Sequence, residues 1–165
     1  QFLLFFSYFI DGFAYAAEAI IGKFFGAKNK LMLVKATKIL FIWGAAFGLL
    51  FTLIYALGGK YILSFFTDKL NVIEEAQNYL IWLVFIPLVS FASYIWDGIY
   101  IGATASKAMR NTMIISSVIF FFVPYYLLAD IMGPHAIWLA MLLYMLSRSL
   151  SQTIIAPWAV FKKLK

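Results

Sequence analysis

Five apolar runs, at about residues 2–27, 33–57, 76–101, 113–128 and 136–160, leave this chain few ways to fold. Runs of roughly 20 residues cross the ~30 Å hydrocarbon core of a bilayer as helices. A membrane β-barrel is excluded. Its strands are about half this length and alternate apolar with polar residues, whereas these runs are continuous. Composition agrees: 65% of residues are hydrophobic and 12% charged, against about 45–50% and about 25% in soluble domains. The reading is an all-α integral membrane protein with five transmembrane helices.

Charge gives that protein an orientation. Ten basic residues belong to one set of loops: Lys23, Lys28, Lys30, Lys35, Lys38, Lys107, Arg110, Lys162, Lys163 and Lys165. The other set holds two, Lys60 and Lys69, beside the acidic Asp68, Glu74, Glu75 and Asp130. Such asymmetry predicts a cytoplasmic C-terminus in a multi-pass protein of the cell (inner) membrane, the lysines facing lipid phosphates. The +6 net charge is thereby accounted for without a nucleic-acid partner. With no cysteine and one histidine, His135, disulfides and multi-histidine metal clusters are excluded, and no cofactor is expected.

The runs carry their own punctuation. Gly22/Gly26, Gly44/Gly48 and Gly98/Gly102 are small-xxx-small pairs that predict close helix approach. Gly26 reads as a C-capping glycine, and Gly58-Gly59 as the end of the second span. Tyr61 to Phe66 reads as a short interfacial helix, with Asn71 to Glu75 opening the third span. Pro87 and Pro124 lie inside spans, where proline removes a backbone hydrogen bond and usually kinks the helix.

Inside the spans lie residues that hydrocarbon does not tolerate alone. Wound at 100° per residue, Asp11, Tyr15 and Glu18 fall on one face with Gly22 and Gly26, within about 80°. The two acids are about 10 Å apart. A charge facing lipid costs roughly 2.5–3.5 kcal/mol even on insertion scales, so they face protein or water. Asp97 sits on a polar stripe with Ser90, Ser93 and Tyr94, and Arg148 lies midway between the belt residues Trp138 and Trp158. At that depth Arg148 requires a carboxylate or helix-end carbonyls, and Tyr144, Ser151 and Gln152 share its face. Desolvated carboxylates can exchange protons for cations, which is what ion-coupled transport needs, and tyrosines can line a chamber for flat cations. Against this stand structural readings: helix pairing for Asp11, a cap-like role for Glu18, a strut or counter-ion for Arg148. His135, beside Gly133-Pro134, reads as a solvated interfacial residue.

Three stretches, DGFAYAAEAIIGKFFGA from Asp11, WDGIYIGATASKAMRNTM from Trp96 and GPHAIWLAMLLYMLSRSL from Gly133, resemble the multidrug and toxin extrusion (MATE) transporters, in their DNA-damage-inducible-F-like branch. The resemblance covers nearly the whole chain. It implies a twelve-helix transporter of two six-helix lobes, of which these five spans would be a partial C-terminal lobe lacking its first helix. Gln1, mid-helix and without a preceding methionine or basic leader, fits that expectation. It also implies export of organic cations or amphipathic drugs in exchange for H+ or Na+. The position of Asp97 matches an acid implicated in cation handling, where Na+ could bind. Asp11 and Glu18 match the Asp-Gly-Phe-Ala and Ala-Glu pattern of the branch, whose proton-linked aspartate would lie in the missing N-terminal lobe. The site candidates are thus Asp97, Asp11, Glu18, Arg148, Tyr15, Tyr94 and Tyr144. Competing readings are a lipid-linked oligosaccharide flippase of the same superfamily, a structural membrane subunit, and a membrane enzyme. The last finds no nucleophile motif to support it.

Overall fold

The computed structural model describes residues 1–163; Lys165, part of the basic C-terminus, lies outside the described residues. Apolar runs that must satisfy their own backbone groups in lipid become helices. Seven α-helices result: α1 Phe2–Gly26, α2 Lys30–Phe66, α3 Leu70–Gln77, α4 Leu80–Gly102, α5 Ser106–Ile115, α6 Val123–Met132 and α7 His135–Ala159. A π-helical stretch, Ser116–Phe122, joins α5 to α6, and a single 3-10 turn covers Phe161–Lys163. Five units are long and apolar enough to cross a membrane: α1, α2, α4, the composite of α5 and α6, and α7.

The helix ends correct several expectations. The left-handed residue after α1 is Lys28, with φ 51°, and Gly26 stays helical. The amide N–H of Lys28 donates to Phe25 O and that of Asn29 to Phe24 O, closing the helix over its last carbonyls. Asn29 then caps α2, its Oδ1 accepting from Met32 N at 3.1 Å. Gly58-Gly59 does not end the second span. α2 continues for 37 residues to Phe66, with Gly59 packed so closely that a Cβ there would come 3.1 Å from Leu80 Cδ2. The expected interfacial helix at Tyr61–Phe66 is therefore the end of α2. Asn71 to Glu75 belongs to a separate helix, α3, which breaks at Asn78 before α4 starts. The fourth unit extends beyond 113–128 at both ends, from Ser106 to Met132.

Proline explains the π-helical stretch. Pro124 has no N–H to offer the preceding turn, and the helix widens through Ser116–Phe122, where it would otherwise clash. Pro87 is accommodated inside α4, with Gly48 of α2 seated where a Cβ would come 3.1 Å from the Pro87 carbonyl oxygen.

α4 is the axis of the molecule, packing against α1, α2 and α7. Glycines allow this closeness. A Cβ on Gly44 would overlap Ile95 of α4, one on Gly98 would overlap the Ala14 carbonyl oxygen of α1, and one on Gly102 would lie 2.5 Å from Glu18 O. Two of the three small-residue pairs thus sit at interfaces. In the third, Gly22 packs on Gly102 while Gly26 meets nothing. Two apolar clusters form around α4. One, at its C-terminal end, gathers Ile21, Leu33, Ile99, Ala105 and Val160; the other, at its N-terminal end, gathers Phe6, Ile10, Phe51, Tyr55 and Ile86. His135 is not simply solvated. Its Nδ1 accepts from Trp82 Nε1 at 2.9 Å and its ring lies 4.9 Å from that of Tyr79, tying the start of α7 to the start of α4.

Candidate functional site

α4 and α7 meet along a polar seam at mid-depth. α4 contributes Asp97, and one face of α7 contributes Tyr144, Arg148 and Gln152 at successive i+4 positions. Arg148 Nη2 donates to Asp97 Oδ2 in an ion pair, and Gln152 Nε2 donates to Asp97 Oδ1 at 2.8 Å. The Arg148 side chain is 7% exposed and that of Asp97 22%, so the pair is open on the acid's side only. Tyr144 steadies the guanidinium twice. Its ring centroid lies 5.7 Å from the guanidinium carbon, and its hydroxyl accepts from Nη1 at 3.4 Å. Arg148 Nε and Gln152 Oε1 are buried with no partner among the described residues.

Further hydrogen bonds fix the register of this seam. Ser149 Oγ donates to Val89 O at 3.1 Å, Trp96 Nε1 to Thr153 Oγ1 at 2.7 Å, and Tyr100 OH to Gln152 O at 2.7 Å. Trp96 and Tyr100, aromatics that could have faced a chamber, are therefore buried struts between helices. A half-turn slip of α7 would break every one of these contacts together with the ion pair.

On its open side Asp97 faces a crevice of about 200 Å³. α1 lines it with Asp11, Tyr15 and Glu18, α4 with Asp97 and Gly98, and α5 with Met109 and Met113. The Gly98–Ala14 contact is what brings the acids of α1 beside that of α4. Asp11 is close enough to feel the charges of both Asp97 and Arg148. Tyr15 is 72% exposed, so it stands at the rim. An apolar groove of about 410 Å³ between Phe5, Phe9, Phe51 and Ile62 is lined by no carboxylate.

The seven candidates thus divide. Asp11, Tyr15, Glu18 and Asp97 share the crevice; Arg148 and Tyr144 lie behind Asp97; Tyr94 is elsewhere, its hydroxyl bonded to Ser7 Oγ at 3.0 Å between α1 and α4. Met109 escaped the sequence reading because Lys107 and Arg110 made its segment read as a loop, and Met113 because it was read only as the first residue of the fourth span. Helical in fact, that segment places the two methionines at i and i+4 on one face, the only signal they carry. At Asp97 each carboxylate oxygen already accepts from one N–H group, and Arg148 offsets the negative charge that a Na+ ion would meet. No group of three His, Asp or Glu that could hold a metal ion occurs among the described residues.

This chemistry, carboxylates in a crevice between membrane helices with one of them held by a buried arginine, can bind, release or exchange a cation. Comparison with known proteins adds a family. The MatE family matches residues 1–127. The chain is 36% identical over 155 residues to DNA damage-inducible protein F of Escherichia coli (strain K12), a match covering 90% of this chain and 32% of that protein. The chain therefore spans about a third of the length of this curated relative. No solved structure matches it. A multi-pass helical membrane protein with intramembrane acids, matched over most of its length, the chain belongs to the MatE family, which is one of transporters and not of enzymes.

Proposed function

We propose that this chain forms part of a secondary active antiporter that exports organic cations or amphipathic drugs in exchange for H+ or Na+. The observation that carries the proposal is the crevice itself: Asp11, Glu18 and Asp97 face one space between membrane helices, with an aromatic, Tyr15, at its rim. Arg148 offsets the charge of Asp97, which leaves two carboxylates of the three to favour a cationic guest. Met109 and Met113 offer a soft, adaptable wall for flat apolar portions of such a guest. In this reading the rest of the polypeptide supplies an opposing lobe, and the substrate binds between the two. The basic asymmetry of the loops favours a cytoplasmic C-terminus in the cell membrane. A flippase for anionic lipid-linked sugars is not favoured, because its chamber would need net positive charge. A structural subunit would carry three intramembrane acids to no purpose.

The test is efflux of a fluorescent organic cation from vesicles containing the full-length protein, with H+ and Na+ gradients imposed separately. Gradient-driven export that falls at least tenfold in the Asp11→Asn/Glu18→Gln double variant is expected. Export indifferent to both gradients, or unchanged in the double variant, would overturn the reading.

A further inference from the structure

Asp97 has the location of a cation-binding acid without the vacancy of one. A hard cation such as Na+ takes oxygen ligands, and it is drawn to a carboxylate whose negative charge no other cation already offsets. Here Arg148 Nη2 holds Oδ2 and Gln152 Nε2 holds Oδ1, and both donors come from an α7 face that three further interhelical hydrogen bonds keep in register. Arg148 is itself pinned by the Tyr144 ring and hydroxyl. From this arrangement we infer that Arg148 is a tethered cation standing at Asp97 in place of Na+, so that the C-terminal end of α4 contributes no Na+ site. The inference rests on the crevice being a cation route, and it deepens that reading by excluding one ion at one acid.

The physical case is one of competition. Arg148 is attached to the bundle, so its local concentration at Asp97 cannot be diluted, whereas Na+ must shed water to enter. Arginine stays charged under all ordinary conditions, so no change of pH withdraws it. Its charge at mid-bilayer is tolerable only beside the acid, which makes leaving Asp97 costly for Arg148 as well. Gln152 shows what would follow if the guanidinium were absent. Its Oε1 is buried without a partner, so an oxygen already stands near the freed carboxylate. A latent oxygen site is thus built behind the arginine and closed by it.

The experiment compares melting of the purified full-length protein in NaCl with melting in equal KCl. Arg148→Gln is expected to gain a Na+-specific upward shift of at least about 2 °C, the size that saturating occupancy of a new site gives in a protein of this class. Asp97→Asn added to Arg148→Gln should abolish that gain, and Arg148→Lys, which keeps a tethered cation, should not show it. A folded Arg148→Gln variant without the shift would overturn the inference. The wild-type protein gives an independent check that needs no arginine variant: the Na+-minus-K+ infrared difference spectrum in the carboxylate-stretch region should be the same in wild type and Asp97→Glu. A Na+-induced band that moves with Asp97→Glu would place Na+ on this acid and overturn the inference. Neither readout involves export, so failure of the efflux assay with these results as expected would sink the transport reading alone.

Discussion

Replacing Asp97 by asparagine changes two things at once. It removes a charge from the crevice wall, and it leaves the Arg148 guanidinium buried with a neutral neighbour. An amide does not keep both hydrogen bonds, because Asp97 accepts from two donors, one on each oxygen, and an asparagine NH2 would face one of them. Breaking a buried pair by removing one partner costs on the order of 3–5 kcal/mol. We expect Asp97→Asn to lose export and, in addition, to melt at a lower temperature in detergent. Adding Arg148→Gln should restore part of the lost stability, so that the double variant melts above the sum of the single losses. Strictly additive losses in that cycle would show the pair to be unimportant. That Arg148 needed a carboxylate or helix-end carbonyls was legible from its depth between Trp138 and Trp158. Which acid it takes, Asp11, Glu18 or Asp97, was not legible, since that depends on the register of α4 against α7, set by contacts such as Trp96–Thr153 that lie far apart in sequence.

At the scale of helices, glycine decides who touches whom. Gly98 sets α1 and α4 at a distance where no side chain fits, and the methyl of Gly98→Ala would fall on the Ala14 carbonyl. Overpacking of this kind costs about 1–3 kcal/mol, or more where backbone must move. Gly98→Ala should therefore lower the melting temperature and weaken export together, by parting the crevice walls, while Gly26→Ala, which meets no neighbour, should change neither. An equal effect of the two substitutions would refute this. Small-residue spacing was readable in the sequence, but the spacing is the same for a pair that packs and for Gly22/Gly26, of which only one member does. Span ends were read least well. Gly58-Gly59 looked like a stop because isolated glycines weaken a helix by about 1 kcal/mol each. Packing of Gly59 on Leu80 overrides that local preference. The widened turn before Pro124 and the helicity of Ser106–Ile115 likewise follow from packing and proline sterics rather than from hydropathy.

For the molecule as a whole, five apolar units were evident from run length, and the family from three motifs spread along the chain. The crevice was half legible. Its acids announced themselves, while its methionine wall did not. Since the chain spans about a third of its relative, and a two-lobe transporter binds substrate between lobes, this stretch reconstituted by itself should show no gradient-driven export. Robust export from it would refute the division of labour proposed above. A cysteine placed at Lys162 should react with membrane-impermeant maleimide only after the cells are opened, as a cytoplasmic C-terminal end requires; labelling in intact cells would reverse the orientation.

The uninterrupted course of α2 has a mechanical consequence. Thirty-seven residues of helix measure about 55 Å, nearly twice the hydrocarbon thickness. A rod of that length cannot be contained in the bilayer, so part of it is a boom outside the hydrocarbon, carrying the exposed rings of Tyr61 and Phe65. Rocking the membrane-embedded part by about 10° would swing the far end by roughly 5 Å. A span end at Gly58-Gly59, as the sequence suggested, would have absorbed such a swing; the continuous helix transmits it to α3 and the acidic end of the bundle. Angular motion at the level of the crevice is thereby geared up into displacement at the surface, where a spectroscopic label on Tyr61 would see it first.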